Sequence, residues 1–147
     1  MTNTYGSITP YLVIRNAEKA IDFYKKAFGA KEITRLMVGD KVGHAELLIN
    51  NSRIMLADEF PEWGMSSAQK IGDSPVIMLM SVNDADAVFN RAVAEGAKAF
   101  SRVELQFYGD RSGTLIDPFG HKWTISSHAE DISEEEMKKR AAGLAAP

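Results

Sequence analysis

The sequence predicts an α+β protein made of two βαβββ modules, and three observations carry that prediction. The first is an internal repeat: Asn16-Ala17-Glu18-Lys19-Ala20-Ile21 is answered 68 positions on by Asp84-Ala85-Asp86-Ala87-Val88-Phe89. Gly29-Ala30-Lys31 is answered 67 positions on by Gly96-Ala97-Lys98, so the second helix is one residue shorter. The second observation is that each copy places one helical pattern after one short apolar run, with several strand-like runs following. The third is the tail from Asp131 to Pro147, which is charged and helical in pattern and belongs to neither copy.

In the first module, about 7–58, Thr9–Ile14 is a short apolar run that reads as a strand, with Pro10 near its start where a missing N–H is tolerated. Asn16 is the expected helix N-cap, its side chain accepting from free backbone N–H groups. Ala17, Ala20, Ile21, Tyr24 and Phe28 share one helical face, and Gly29 stops the helix. Gly39-Asp40 is a hairpin signal between the strands Thr34–Val38 and Val42–Ile49. Strand alternation then puts Ala45, Leu47 and Ile49 on one face and His44, Glu46 and Leu48 on the other. Asn50-Asn51 turns the chain into a fourth strand, Ile54–Ala57.

Residues 59–74 form a linker rich in Pro, Gly and Ser, with room for a turn of helix, and it carries the exposed-looking Trp63. The second module, about 75–128, repeats the order. Its elements are a strand over Pro75–Val82, a helix lined by Ala85, Val88, Phe89, Ala92 and Val93, and the strands Phe100–Leu105, Arg111–Ile116 and His121–Ser127. Asp117-Pro118-Phe119-Gly120 supplies a turn before the last strand. Trp123 shares a face with Ile125 and is expected in the core. His121 and His128, at strand ends, are expected to be exposed. In the helical tail, 131–147, Ser133 and Glu136 have the spacing of a capping box, and Lys138, Lys139 and Arg140 suit a helix C-terminus. Its charges read as a solvated face.

A length of 147 residues with 45% hydrophobic and 25% charged residues supports a packed core. A net charge of −3 with dispersed lysines argues against nucleic acid as a partner. With 0 Cys, disulfides, thiolate metal sites and cysteine nucleophiles are excluded. No apolar run reaches the ~20 residues of a membrane span, and the N-terminus lacks a signal-peptide pattern. The expectation is a soluble cytoplasmic protein.

Two βαβββ modules, with Ala20-Ile21-Asp22-Phe23-Tyr24 and Phe28-Gly29-Ala30 in the first and Asp117-Pro118-Phe119-Gly120-His121 in the second, resemble the vicinal oxygen chelate superfamily. That group includes glyoxalase I, extradiol dioxygenases, and fosfomycin- and bleomycin-resistance proteins. Thr9-Pro10-Tyr11, His44-Ala45-Glu46-Leu47, Met55-Leu56-Ala57-Asp58-Glu59, Phe107-Tyr108-Gly109-Asp110-Arg111 and Ser133-Glu134-Glu135-Glu136-Met137 are similar to its PhnB-like branch. The resemblance spans about residues 7–141. It implies curved mixed sheets that close into a cup, plus a homodimer in which modules pair between chains.

Metal-dependent members of that family take a His, Glu or Gln from the first and last strand of each module. Carried over, those positions fall on Thr9 and near Met55 in the first module and on Ile77 and Thr124 in the second. A slip of one residue finds only Ile8, Pro10, Ile54, Leu56, Val76, Met78, Trp123 and Ile125. No donor set for a divalent metal results, so the expectation is no metal and no cofactor. Two ligands, His44 and Glu46, are too few for a metal of their own.

The polar candidates lie one strand over. His44 and Glu46 point the same way, and the offset of 67 sets Arg111 opposite His44 in the repeat. These groups suit a small polar or anionic molecule, with Arg111 pairing a carboxylate or phosphate and His44 or Glu46 as general base. They also suit an ion-pair cluster that orders the sheet or a dimer seam. Glu104, Gln106, Phe107, Tyr108 and Asp110 form an aromatic and acidic loop. With Trp63 and Phe60, that loop reads as a ligand lid or as dimer packing. The candidate ligand contacts are thus Thr9, Tyr11, Met55, Trp63, Phe107, Tyr108, Arg111 and Thr124.

The function that follows is a metal-free small-molecule-binding protein of the glyoxalase/bleomycin-resistance type, its ligand held in a dimeric cup. The alternative is a lyase, isomerase or transferase of the same superfamily with His44 or Glu46 as base, with or without a metal. A third reading is an interaction protein whose cup is filled by its own side chains.

Overall fold

A computed structural model of the chain describes residues 6–144. The first sheet is built from β1 (Tyr11–Ile14), β2 (Lys31–Val38), β3 (Lys41–Ile49) and β4 (Ser52–Asp58), with α1 (Ala17–Phe28) after β1. A 3₁₀ turn (Pro61–Trp63) and the short helix α2 (Ala68–Ile71) follow. The second sheet contains β5 (Ile77–Ser81), β6 (Lys98–Leu105), β7 (Asp110–Ile116) and β8 (Lys122–His128), with α3 (Ala85–Ala94) after β5. The helix α4 (Glu134–Ala142) ends the described chain. The strand orders are β1-β4-β3-β2 and β5-β8-β7-β6, so each copy makes the same mixed, curved, four-stranded sheet. In each, the first strand runs parallel to the last and the other neighbours are antiparallel.

Contacts divide the chain into two compact units. One runs to Val76 and also takes in Asp117–His121, the turn between β7 and β8. The other comprises Ile77–Ile116 and the chain from Lys122 onward.

In the first unit, Leu12, Leu56 and Ala45 stand in one row across β1, β4 and β3, and all three are buried. They meet Ala20, Ile21 and Tyr24 of α1, also buried. Burial of Leu12, Leu56 and Ile21 stabilises the unit by about 1.5–3 kcal/mol each. The turn Asp117–His121 is anchored here: the Tyr24 hydroxyl donates to Asp117 Oδ2 at 2.5 Å, and Asp117 Oδ1 accepts from the N–H groups of Phe119 and His121. His121, expected at the surface, is buried instead, its Nε2 lying 3.3 Å from the Val13 carbonyl oxygen.

Asn16 does not cap α1. It sits in the left-handed region (φ 68°) and makes no side-chain cap bond. The acceptor comes from the end of the neighbouring strand, β4, where Asp58 pairs with Ile14. Asp58 takes the Ala17 N–H at 2.8 Å with one carboxylate oxygen and the Val42 N–H at 2.7 Å with the other. The second unit repeats the device with a weaker group, the Ser127 hydroxyl accepting from the Ala85 N–H at 3.2 Å, and there Asp84 does cap its own helix. Gly29 ends α1 as its sequence suggests, in the left-handed conformation with its N–H on Lys25 O. In the tail, Ser133 accepts from the Glu136 N–H, but the Glu136 carboxylate pairs with Arg140 rather than completing a capping box.

In the second unit, Met80, Ile125, Leu115 and Trp123 face α3 and are buried with Phe89 and Ala92. Gly113 belongs to the same face, opposite Ile125, and a Cβ there would meet the Val103 backbone nitrogen at 2.6 Å. That close approach coincides with the register shifts between β6 and β7.

Candidate functional site

The face of the first sheet turned away from α1 carries a connected polar row. Strand alternation puts Tyr11, Met55 and Glu46 there, paired in register across β1, β4 and β3, and His44 beside them. The Tyr11 hydroxyl lies 2.9 Å from His44 Nδ1, and His44 Nε2 lies 2.9 Å from Glu46 Oε2. Arg53 on β4 stands 3.6 Å from the other Glu46 oxygen. The rings of Tyr11 and His44 are 5.5 Å apart. Partial burial pushes the Tyr11 phenol above its usual value, which keeps it protonated. An exposed apolar residue, Leu36, sits across from His44 on β2. Thr9, one step before Pro10, lies just ahead of β1 and is half-buried.

Glu46 fixes the site of one imidazole proton. An ionised carboxylate only accepts, so the hydrogen bond to it puts a proton on Nε2. The Nδ1 atom then faces the phenol oxygen. Tyr11, His44 and Glu46 form a hydrogen-bonded row that ends at the exposed residue Tyr11. Sequence reading named all three residues but not their connection. It missed Arg53, which forms an ion pair with Glu46.

On the second sheet the equivalent face carries Leu79, Thr124 and Thr114, paired in register. The two threonine hydroxyls are 2.7 Å apart. Further along, Tyr108 OH lies 3.1 Å from the Ser112 hydroxyl. Phe107 and Tyr108 contact edge to face in the turn between β6 and β7. That turn is clamped by the tail: the Gly109 carbonyl accepts from the N–H groups of Ala129 and Glu130, and Arg140 donates to the Phe107 carbonyl. Trp63 is exposed and stacks on the buried Phe60 at 4.4 Å within the first unit.

Arg111 departs from expectation. It lies on the helix side of the second sheet, and its Nε and Nη2 donate to the two oxygens of Asp86 on α3 at 3.0 and 2.9 Å. The pair lowers the Asp86 carboxyl below its usual value, chiefly through that hydrogen bond. The physical reason is register. Leu12 and Met80, and Ala45 and Gly113, occupy matching sheet positions 68 apart. The counterpart of His44 is therefore Ser112, not Arg111, and a slip of one residue sends a strand side chain to the opposite face.

The positions where a family metal would sit hold Thr9 and Met55 in the first unit and Ile77 and Thr124 in the second. A thioether, two hydroxyls and an aliphatic side chain do not fit a hard or borderline divalent ion. Among the described residues, no three His, Asp or Glu side chains converge as ligands. His44 and Glu46 are bonded to each other.

Two mixed βαβββ sheets of identical order, each with a polar row on the face away from its helix, define a protein of the glyoxalase-like class. The chain belongs to the Glyoxalase/Bleomycin resistance protein/Dioxygenase superfamily, whose model matches residues 5–125. It is 39% identical over 140 residues to an uncharacterised protein of Mycobacterium tuberculosis strain H37Rv, covering 92% of this chain and 82% of that one. A crystal structure of an Arabidopsis thaliana gene product superposes with a TM-score of 0.69 at 30% identity, over 86% of this chain and 99% of that one. A PhnB protein of Bacillus cereus shares the fold at 18% identity, with a TM-score of 0.64 over 83% and 99% of the two chains. No helix among the described residues is long and apolar enough to cross a membrane.

Proposed function

We propose that the protein binds a small organic molecule without a metal, on the face of the first sheet that carries Tyr11, His44 and Glu46, and that it works as a homodimer in the cytoplasm. The observation that carries this reading is the Tyr11–His44–Glu46 row, which ends at the exposed residue Tyr11 while the family's metal positions are occupied by Thr, Met and Ile. Exposed apolar side chains on the helix-free faces, Leu36 in the first unit and Ile77 and Leu79 in the second, support a surface that a ligand or a partner subunit covers. The test is a thermal-shift screen of chelator-treated protein against small aromatic, anionic and cationic compounds. A ligand at about a hundred times its Kd adds about 2.7 kcal/mol to stability. Stabilisation that persists in chelator, and weakens in His44→Ala and Tyr11→Phe, is the expected result. Stabilisation that requires added divalent metal overturns the reading.

The second reading, a lyase, isomerase or transferase, is favoured by one feature. Both imidazole nitrogens of His44 are engaged, so a base there acts through the Tyr11 oxygen, with Glu46 holding the imidazolium that forms. Turnover by metal-free protein that Tyr11→Phe and His44→Ala both remove would establish it.

A further inference from the structure

We propose that the first sheet binds an organic carboxylate together with a proton: His44 takes up the proton, and this turns the Tyr11 hydroxyl outward onto the ligand. The proposal rests on the metal-free binding reading given above and names the ligand class.

Glu46 accepts from His44 Nε2 at 2.9 Å in either charge state, because a carboxylate has no hydrogen to give. The atom that changes on titration is therefore Nδ1, 2.9 Å from the Tyr11 oxygen. With neutral imidazole, Nδ1 is a lone pair and the phenol donates to it. The single phenolic hydrogen is then spent, and Tyr11 offers a ligand only acceptor lone pairs. With imidazolium, Nδ1–H donates to the phenol oxygen, and the phenolic hydrogen is released to donate outward. One proton thus reverses the polarity of the hydroxyl at the accessible end of the row.

Charge points the same way. The groups facing His44 are Glu46 on its own strand, Tyr11 on β1 and, through Glu46, Arg53 on β4. Its neighbour on β2 is Leu36, which does not titrate. Protonation adds one positive charge beside a hydrogen-bond donor, which favours an anionic oxygen on both counts. Partial burial of Tyr11 disfavours the competing arrangement in which the phenol is the group that ionises. Leu36 and the Tyr11 ring supply apolar surface, so the fitting anion is a carboxylate on an apolar body.

The test is calorimetric titration of benzoate into the full chain, at pH values where imidazole ¹⁵N shifts show His44 neutral in the free protein, in two buffers of different ionisation enthalpy. Uptake of about one proton per benzoate is expected, with affinity falling about tenfold per pH unit in that range. His44→Gln is expected to abolish both, and Tyr11→Phe to weaken binding most at low pH. Imidazole ¹⁵N shifts of unmodified protein provide a readout independent of any variant: Nε2–H alone without benzoate, and both nitrogens protonated in the complex at the same pH. Benzoate binding without proton uptake overturns the proposal while leaving the metal-free site intact. Absence of benzoate binding on both sides of the histidine range overturns it too, as does uptake that survives in His44→Gln.

Discussion

Replacing Asp58 should damage the first unit more than any change at Asn16, although Asn16 holds the cap position in the sequence. Asp58 accepts from two backbone N–H groups, those of Ala17 and Val42, both on residues with essentially no exposure. Water therefore cannot readily replace the lost acceptor. A hydrogen bond to a charged acceptor contributes about 1.5–3 kcal/mol, and a carboxylate at a helix N-terminus adds about 0.3–1 kcal/mol. The two bonds share one side chain and the site is only half-buried, so the sum is discounted. Asp58→Ala is expected to cost about 3 kcal/mol, and Asp58→Asn about half, since one acceptor survives. With an m-value of about 2 kcal/mol per molar urea, the alanine variant should lower the unfolding midpoint by about 1.5 M. Asn16→Gly removes no cap bond and keeps a backbone conformation that glycine adopts freely, so it should change stability by less than about 0.5 kcal/mol. Urea unfolding followed by far-UV circular dichroism measures all three. A larger loss for Asn16→Gly than for Asp58→Ala would refute the assignment of the cap.

Other consequences concern the remaining polar groups. Tyr24→Phe deletes the donor to Asp117 Oδ2 in a buried setting and should cost about 2–3 kcal/mol by urea unfolding; a loss below about 0.5 kcal/mol would show that the bond contributes little net stability. Hydrogen bonds from His128 to Asp131 and then Asp110 raise its pKa above the usual histidine value. Because the folded value lies above the unfolded one, its contribution is complete below the unfolded pKa and is lost as pH rises through the folded value. His128→Gln should therefore flatten stability across that window and leave acid behaviour unchanged. Arg111→Gln breaks an exposed pair with Asp86 on the helix side of its sheet, so ligand affinity should not move; a clear loss of affinity would return Arg111 to the binding face.

The repeat made the fold legible. The eight strands, the two sheet-packing helices and the tail helix all lie where apolar periodicity and punctuation set them, because those signals are local. What required the folded chain was distant or depended on register. The cap of α1 comes from a residue 41 positions further on, which no local motif announces. The Arg111 placement turned on one residue of offset, and a strand offers no tolerance for that. His121 looked like a strand-end histidine and proved buried, because the turn that carries it packs in the first unit. At the candidate site, alternation alone set His44 and Glu46 on one face. Their link to Tyr11 needed the parallel pairing of β1 with β4, and Arg53 needed the β3–β4 hairpin.

The most direct measurement is titration of Mn²⁺, Ni²⁺ and Zn²⁺ into chelator-stripped protein by calorimetry, with a screened ligand present and absent. The account predicts no saturable metal site and ligand affinity indifferent to every ion. Stoichiometric uptake of an ion, with ligand binding restored only by it, would contradict it.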